Sequence, residues 1–499
     1  MIIFILGCSV RSTHLFQPVN TDSWREADVS TIAKNFYLNG TDIFHPQVAY
    51  GGSGPGYVES EFQIYSYLIA ASYKIFGFWE PIGRVISFLF SLGAMLVFFK
   101  LSNYLLHKSA AIASAFFFSL SPLLMVTSIA IQPESAMFFF YICSGYTFVR
   151  WLDSGSKRYY VPAIIFTALA LLCKITAANI GILFLLLIIF KKGWEFLLKP
   201  KVLILGVLSI LPSILWYSYG HKFYVLYGNS LGLSNENPWI GWDFFTSPHL
   251  ITGLFKVELF NVWTHAGPVI VILAIAFTKL YKKESFLFGF FWFASVSVFY
   301  ILASRTTAES WAWYYHIFSV PAVSILLGSS VMELFDKYHS PLHLIKKPIK
   351  NEPGIFKSRA IVLLSMVSVF YFIFSCFTYL VKTKSAVYQP SPLYACKDSV
   401  KKLIPQNALL LTNGGPAKDA LGYSLAINIG YFYYWLDRKG YNISVEDLSI
   451  KNILTFKSRG INFFLAEERI LNQKPGFEDE LKQNFKAIFE CNGSVLFKL

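Results

Sequence analysis

Long apolar runs alternate with short polar segments along most of the chain. A helix that crosses the ~30 Å hydrocarbon core of a bilayer needs about 20 mostly apolar residues. Ten candidate spans follow from this pattern: residues 82–99, 110–128, 135–149, 159–173, 175–190, 202–219, 267–278, 285–303, 317–335 and 360–381. Residues 1–16 predict an eleventh span, interrupted by Arg11. A cleavable signal peptide is the competing interpretation of this segment, although no basic residues precede its apolar part.

The pattern changes after residue 384, where short apolar stretches alternate with charged ones. Strands are predicted at 408–412, 461–466 and 494–497, and helical stretches at 425–438 and 477–489. We therefore divide the chain into a transmembrane domain, 1–384, and an α/β domain, 385–499. The tetrapeptide Asn413-Gly414-Gly415-Pro416 is typical of a turn, because a phosphate loop would add a Lys-Ser/Thr pair or a GxGxxG spacing.

Composition and charge agree with a membrane protein. Hydrophobic residues make up 55% of the 499 residues and charged residues 14%, against about 45–50% and about 25% in globular proteins. The net charge of +14 would indicate a nucleic-acid partner in a soluble chain. Most of it lies in five loops with 18 basic and six acidic residues: 100–108, 150–158, 191–201, 279–284 and 333–359.

The positive-inside rule places these basic loops in the cytoplasm. The first long loop, 17–84, with seven acidic and four basic residues, is then extracytoplasmic, as are 220–264 and everything after residue 381. The charge therefore reports topology, and no nucleic-acid partner is expected. We predict an integral protein of a bacterial-type inner (plasma) membrane, with its active site and its α/β domain on the extracytoplasmic side.

The six cysteines divide by location. Four lie in predicted spans, where a small buried hydrophobic role is expected: Cys8, Cys143, Cys173 and Cys376. Cys396 and Cys491 lie near the two ends of the tail domain, in a compartment that permits disulfides. The sequence leaves open whether they are bonded. No cysteine or histidine pair has zinc-ligand spacing, so no metal site is predicted from them.

Charged residues at the outer ends of the spans are costly near lipid and therefore informative. They are Asp22, Arg25, Glu26, Asp28, Glu59, Glu61, Arg84, Glu134, Lys174, Arg305 and Glu309. A solvated rim is the alternative for any single member. Around them, apolar residues at helical spacing after Ser23 predict an amphipathic helix on the membrane surface, and 59–76 predicts a second. A glycine-rich hinge, 51–56, separates the two helices.

Several short motifs occur in order along the chain. They are Arg25-Glu26-Ala27-Asp28, the stretch from Ile32 to Tyr37, Tyr65-Ser66-Tyr67-Leu68, Lys74-Ile75-Phe76-Gly77, Ser121-Pro122, Pro133-Glu134, Leu172-Cys173-Lys174, Tyr314-Tyr315-His316 and Asp437-Arg438-Lys439-Gly440. With these motifs the sequence resembles the GT-C membrane glycosyltransferases, and within them the branch of protein O-mannosyltransferases and bacterial aminoarabinose transferases. The resemblance implies a polytopic α-helical protein with about 11 transmembrane helices, surface helices in the first external loop and an extracytoplasmic α/β domain.

The resemblance also implies an activity, namely transfer of a sugar from a polyprenyl-phosphate donor to an extracytoplasmic acceptor with inversion at the anomeric carbon. Such transfer needs a carboxylate that takes the acceptor proton and cations that stabilise the departing phosphate. The usual acid of the first loop falls on Arg25 and the usual lysine on Glu61. The implied catalytic residues are therefore Glu26, which we favour as base, with Asp28 and Glu134.

Binding roles follow from the same comparison. The donor phosphate is expected to meet Lys174, Arg84 or Arg305, and Lys174 is favoured because it interrupts an apolar run. A snorkelling or capping lysine is the alternative. The expected substrate-binding residues are Arg25, Glu61, Tyr65, Tyr315 and His316. For Trp311 and Trp313, membership of an interfacial aromatic belt is the favoured interpretation.

The expected partners are the lipid-linked donor, a protein, lipid or glycan acceptor, and the bilayer. No cofactor is required, and a divalent metal between carboxylates is allowed but not needed. A transporter or flippase of lipid-linked glycans is the rival function, but the sequence shows no half-repeat of the kind many transporters carry. A lipid-linked glycan ligase or polymerase shares the donor chemistry and differs in its acceptor.

Overall fold

The computed structural model describes residues 1–40, 42–236, 239–338, 353–418, 422 and 424–499, with only the backbone of 353–359. Most of the basic loop predicted at 333–359 lies outside these residues. The α-helices are α1 Ile2–Ser12, α2 Trp24–Asn39, α3 Ile64–Phe76, α4 Ile82–Leu105, α5 Lys108–Ser119, α6 Pro122–Thr127, α7 Glu134–Ser154, α8 Lys157–Cys173, α9 Ile180–Lys192, α10 Pro200–Tyr227, α11 Pro248–Glu258, α12 Ala266–Phe277, α13 Glu284–Leu302, α14 Ser304–Thr307, α15 Val320–Tyr338, α16 Pro353–Tyr379, α17 Ser385–Val387, α18 Lys397–Leu403, α19 Tyr431–Leu436, α20 Ile450–Ser458, α21 Glu468–Leu471 and α22 Phe477–Asn484.

Six helical segments of the described chain are long and apolar enough to cross a bilayer: Ile82–Leu105, Ile175–Lys192, Pro200–Tyr227, Glu284–Leu302, Ser310–Tyr338 and Ala360–Val387. A bent pair, Pro248–Trp263 with Ala266–Phe277, makes a seventh if its two arms, 86° apart, count as one span. The predicted count of about 11 is therefore not confirmed. The predicted span 110–128 breaks before Pro122, which has no N–H to continue the helix, and α1 has only 11 residues.

Aromatic side chains fill the core of the helical bundle. Phe148 of α7 stacks on Phe184 of α9 with 3.6 Å between ring centroids. Trp292 of α13 is fully buried and donates from Nε1 to the hydroxyl of Tyr141, 3.1 Å away. Tyr141 in turn donates to Asn179 Oδ1 at 2.7 Å. These contacts satisfy the polar ends of two large aromatic side chains in the core.

The first long loop differs from the predicted surface arrangement. Helix α2 begins at Trp24 as expected, with the Ser23 hydroxyl accepting from the Glu26 N–H. However, eight consecutive residues of α2, from Glu26 to Ala33, are buried, whereas an interfacial helix exposes one face. Helix Tyr431–Leu436 of the tail packs against α2, so the tail covers the face of α2 that was expected to be exposed.

The second predicted surface helix is shorter than 59–76. It begins at Ile64, because the segment before it pairs with another loop. The Glu59 N–H donates to the Asn229 carbonyl at 3.0 Å, and the Leu231 N–H donates back to the Glu59 carbonyl at 2.9 Å. The glycine-rich segment 51–56 is not a free hinge, since the Gly52 N–H donates to a tail carbonyl, that of Gly440, at 2.8 Å.

The tail contains a five-stranded sheet of order β2-β1-β3-β5-β4, with β1 Leu409–Asn413, β2 Lys439–Ile443, β3 Phe463–Glu467, β4 Lys486–Cys491 and β5 Ser494–Lys498. The pairs β1–β2 and β1–β3 are parallel, and the pairs β3–β5 and β4–β5 are antiparallel. The three predicted strands correspond to β1, β3 and β5. Two strands were not predicted: β2 was left as loop, and the first residues of β4 were assigned to the helix predicted at 477–489. The helices predicted at 425–438 and 477–489 are confined to Tyr431–Leu436 and Phe477–Asn484.

A disulfide and an asparagine side chain connect distant segments of the tail. Cys396 and Cys491 form a disulfide across 95 residues, which resolves the alternative that the sequence left open. Asn413, at the start of the predicted turn, exchanges hydrogen bonds with the backbone of Glu467, accepting from its N–H at 2.9 Å and donating to its carbonyl at 3.0 Å. Asn413 therefore joins the ends of β1 and β3.

The tail docks on the first loop, so both lie on the same side of the bundle. Trp435 donates from Nε1 to the Val19 carbonyl at 2.5 Å, and Lys34 of α2 pairs with Asp437 at 2.8 Å. At Gly440 a Cβ would lie 1.7 Å from the Leu410 carbonyl oxygen, so only glycine fits there. The division of the chain between residues 384 and 385 stays a prediction.

Candidate active site

A narrow polar pocket lies where the first loop meets breaks in the helical bundle. Its lining residues are Trp24, Arg25, Glu61, Lys174, Ile175, Thr176, Tyr217, Leu231, Gly232, Leu233, Glu236, Trp239, Trp311, Tyr314 and Tyr315. Lys174 reaches it because the backbone is extended at this residue (φ −165°, ψ 120°), between the end of α8 and the 3₁₀ segment Ile175–Asn179. The predicted interruption of the apolar run is thus a real break in the helix, and the side chain is not a snorkelling one.

Two cation–carboxylate pairs stand at this pocket. Arg25 contacts Glu61, and Lys174 contacts Glu134. The Lys174 Nζ also lies 4.9 and 4.5 Å from the ring centroids of Tyr314 and Tyr315, within the range of cation–π attraction. All four residues were named from the sequence, but their pairing was not predicted.

Several polar atoms of this region have no hydrogen-bond partner within the described part of the chain. They are Nη1 of Arg25, Oε2 of Glu134 and Oγ1 of Thr176, all buried. A buried donor or acceptor without a partner costs about 1–3 kcal/mol. Such atoms beside a pocket are satisfied when a polar ligand enters it, so the arrangement fits the binding of a polar group.

The carboxyl groups that line the pocket differ in acidity. Burial acts to raise the pKa of Glu61, but the charges of Arg25 and Lys174 hold that pKa below its ordinary value. Burial also raises the pKa of Glu236, and here the opposing charges of the same two cations do not overcome it. Glu61 is therefore held as a carboxylate, and Glu236 binds a proton more readily.

Glu26 and Arg84, two residues predicted from the sequence, lie outside the pocket lining and bind each other. Both Glu26 oxygens accept from Arg84, each at 2.9 Å, and Oε1 also accepts from the Ile131 N–H at 3.0 Å. Arg84 is fully buried and donates further to the carbonyls of Gln17, at 2.8 Å, and Pro18, at 3.0 Å. The geometry makes them a buried ion pair that anchors the start of α2 to α4, and the role of Glu26 as base stays a prediction without support from this placement.

Asp28 and Tyr65 also lie away from the pocket. Asp28 is buried against the tail, its Oδ2 has no hydrogen-bond partner among the described residues, and burial raises its pKa to about 8. The Tyr65 hydroxyl is occupied by the Gly83 carbonyl, at 2.7 Å, and the Ser87 hydroxyl, at 2.6 Å. Within the described chain, neither side chain lines the polar pocket or forms a hydrogen bond with the two cation–carboxylate pairs.

Arg305 and His316 lie apart from the pocket as well. Arg305 donates from Nε to Asp243 at 2.5 Å. His316 is buried, with Nδ1 2.7 Å from Glu258 Oε1 and Nε2 2.8 Å from the Thr307 carbonyl oxygen. Its neighbour Tyr315 does line the pocket, so the predicted Tyr-Tyr-His motif is divided between the pocket and the core.

The loop after α10 contributes to the pocket, which was not predicted from the sequence. Leu231, Gly232, Leu233, Glu236 and Trp239 line the pocket. An acid and a tryptophan in an external loop were the available signal, but no motif distinguished them from a solvated segment. Among the described residues no group of three or more His, Cys, Asp or Glu side chains is arranged to hold a metal ion.

An apolar groove opens beside the bend between α11 and α12. It is lined by Phe244, Ile251, Leu254, Phe255, Glu258, Leu259, Trp263, Pro268, Val271, Ile272, Phe293, Ser297, Tyr300 and Ile301. The groove lies next to the polar pocket, because the Tyr300 hydroxyl donates to the Tyr315 carbonyl at 3.2 Å. A polar pocket beside an apolar groove suits an amphiphilic ligand.

Comparison with known proteins agrees with this architecture. Residues 63–217 match the family model described as dolichyl-phosphate-mannose-protein mannosyltransferase. No curated protein matches the sequence. The fold is that of the GT-C membrane glycosyltransferases, and the chain is an integral membrane protein with this fold.

Solved structures with the same fold include two kinds of glycosyltransferase. The fold matches ArnT from Cupriavidus metallidurans, in the apo state (TM-score 0.64, 12% identity) and bound to undecaprenyl phosphate (TM-score 0.63, 11% identity), over 99% of this chain and 97% of that chain in each case. The apo oligosaccharyltransferase of Archaeoglobus fulgidus matches with a TM-score of 0.58 and 12% identity, over 94% of this chain and 69% of that chain. The predicted resemblance to the protein O-mannosyltransferase and aminoarabinose transferase branch is confirmed.

Proposed function

We propose that the protein transfers a sugar from a polyprenyl-phosphate donor to an extracytoplasmic acceptor, with inversion at the anomeric carbon. The observation that carries this proposal is the convergence of two cations, the partly buried Arg25 and the buried Lys174, on one pocket lined by aromatic side chains. Buried charges are costly and are kept where they bind or react. The structure of ArnT with undecaprenyl phosphate, on the same fold, supports a lipid phosphate as the ligand.

In this proposal Arg25 and Lys174 stabilise the phosphate as it leaves. The acceptor oxygen attacks the anomeric carbon from the face opposite the phosphate, and the bond from that carbon to the phosphate oxygen breaks with its electron pair on phosphate. Fixed cations in a water-poor site lower the energy of this developing charge. Before the donor binds, Glu61 and Glu134 neutralise the two cations and hold them in place.

The apolar groove supports a lipid-linked donor over a soluble nucleotide sugar. Its lining side chains are apolar except at Glu258, Ser297 and Tyr300, which suits an isoprenoid chain. Because Tyr300 bonds to the backbone of Tyr315, the polar end of such a chain in the groove lies next to the pocket with Lys174.

The proposal revises the predicted roles of several residues. Of the three predicted phosphate ligands, Lys174 keeps its role, and we assign Arg84 and Arg305 to the ion pairs that they form with Glu26 and Asp243. Glu134 acts by positioning Lys174. The charges of the cytoplasmic loops support an extracytoplasmic pocket and tail in a bacterial-type inner membrane.

A lipid-product assay tests the proposal. The purified protein in lipid nanodiscs is incubated with a polyprenyl-phosphate sugar and an acceptor mixture from the cell envelope, and the release of polyprenyl phosphate is followed by mass spectrometry. We expect Lys174→Met to lower kcat/KM by about 10²–10³-fold.

Lys191→Met is the matched control. Lys191 also pairs with carboxylates, those of Asp153 at 3.0 Å and Glu284 at 2.8 Å, but it lies at the C-terminal end of α9 and does not line the pocket. We expect its activity to match that of the wild type. Equal activity of the Lys174 variant, or movement of the intact donor across the membrane without cleavage of its phosphate bond, would contradict the proposal.

A further inference from the structure

Glu236 differs from the other two carboxylates near the polar pocket. Glu61 and Glu134 are each bound to a cation. Glu236 lines the pocket, yet no Lys, Arg or His of the described chain lies within ion-pair distance of its oxygens. Among these three carboxylates, Glu236 is therefore the one without an ion pair in the described chain.

The loop that carries Glu236 is built to hold it in place. The Ser230 hydroxyl donates to Glu59 Oε2 at 2.7 Å, and Asn235 Oδ1 accepts from the Gly232 N–H at 3.0 Å. Trp239 donates from Nε1 to the Gly232 carbonyl at 3.2 Å, and its ring packs on Tyr315 with 5.1 Å between centroids. Pairing of the segment with the first loop thus fixes the side chain against the pocket.

Gly232 makes room for the carboxylate. Its φ is +73°, and a Cβ at this residue would lie 2.9 Å from Glu236 Oε1. The left-handed backbone favours glycine at this position, and a Cβ there would also displace the carboxylate of Glu236. The loop therefore folds the carboxylate back over its own backbone toward the pocket.

We infer that Glu236 is the base that accepts the proton of the acceptor, and that the acceptor reacts through a hydroxyl group. The inference rests on the proposed function. In the step, the acceptor oxygen forms its bond to the anomeric carbon while its proton moves to the Glu236 carboxylate. The bond between the anomeric carbon and the phosphate oxygen breaks with its electron pair on phosphate, held by Arg25 and Lys174.

Acidity favours Glu236 over Glu61 for this task. A base with a pKa closer to the working pH takes up a proton more effectively in the transition state. The pKa of Glu236 is raised by burial, whereas the pKa of Glu61 is lowered by the neighbouring cations. The two carboxylates thus divide the work, with Glu61 holding Arg25 and Glu236 receiving the proton.

A reaction with azide distinguishes loss of the base from damage to the rest of the site. Azide ion attacks without losing a proton, so it forms a glycosyl azide from the same donor with no need for a base. The assay measures polyprenyl phosphate release by the wild type, Glu236→Gln and Glu61→Gln, with a hydroxyl acceptor or with sodium azide. We expect Glu236→Gln to lose about 10²–10⁴-fold in kcat with the hydroxyl acceptor and to keep wild-type turnover with azide.

Glu61→Gln is the contrast, because it disturbs the cation site and should lose both reactions. The inference is overturned if Glu236→Gln keeps its activity with the hydroxyl acceptor, or if it loses both reactions together, since the latter marks a structural role. A wild-type protein that cleaves the donor with neither acceptor would instead overturn the proposed function.

Discussion

The ion pair between Glu26 and Arg84 allows a structural role to be separated from a catalytic one. Replacing Glu26 by Gln removes the negative charge and turns an amide toward the guanidinium, while Arg84 stays fully buried. Both Glu26 oxygens are bound by Arg84 at 2.9 Å, and breaking a buried pair by removing one partner costs about 3–5 kcal/mol. We expect Glu26→Gln to lower the free energy of unfolding by about this amount.

Chemical denaturation of the protein in nanodiscs measures this change, and donor cleavage per folded molecule is measured on the same samples. We expect the folded fraction of Glu26→Gln to keep activity within a few-fold of the wild type. A double-mutant cycle with Arg84→Met isolates the pair energy. The double variant should cost less than the two single variants added, because no buried charge is left unpaired.

Glu26 would instead be the base favoured from the sequence if Glu26→Gln unfolded like the wild type and lost transfer by two orders of magnitude or more. These two results together would refute the structural role of the ion pair between Glu26 and Arg84.

Three further predictions concern the tail and its docking. Cys396→Ser should lower the tail's stability by about 2–5 kcal/mol, measured by limited proteolysis with and without reductant, and equal protection under both conditions would contradict the disulfide with Cys491. Gly440→Ala should separate β1 from β2 and expose the tail to protease, because its Cβ would meet the Leu410 carbonyl; unchanged digestion would contradict the register. The raised pKa of Asp28, about 8, means that the folded state holds its proton more tightly than the unfolded state, so stability is full below the ordinary aspartate pKa and falls as pH rises toward 8. Asp28→Asn should therefore raise the melting temperature at pH 8–9 more than at pH 5, and a uniform shift would contradict this reasoning.

Apolar periodicity predicted the membrane class and several helices, because each span must satisfy its backbone internally and so carries its own signal. The number of spans was not predictable in the same way. Pro122 and the extended backbone at Lys174 break apolar runs, and short helices such as α1 depend on their neighbours. Strand β2 was missed because it pairs with β1, from which a helix separates it in the sequence. Strand β4 pairs with the adjacent β5, but its first residues were assigned to the helix predicted at 477–489.

The site was predicted in part. Arg25, Glu61 and Lys174, three of the charges predicted at the outer ends of spans, line one pocket, and their roles stay predictions. Adjacent charges in one motif, however, can face opposite directions on a helix. Glu26 follows Arg25 directly, yet it turns toward Arg84 while Arg25 turns toward Glu61. Sequence spacing alone does not reveal which partner a buried charge will meet.

The contact between α2 and the tail was also not predictable from the sequence. Its residues show helical spacing that suits a membrane surface, but the helix is buried on more than one side because the tail helix Tyr431–Leu436 packs on it. Such a contact joins segments about 400 positions apart in the chain, and no local pattern reports it.

The most direct test is a structure of the protein in nanodiscs with a polyprenyl phosphate bound. We predict phosphate density in contact with Arg25 and Lys174, with the lipid chain running along the groove between α11 and α12. A phosphate bound elsewhere, at Arg305 for example, or a lipid that threads a continuous path through the bundle, would contradict the central claim that these two cations form the donor site.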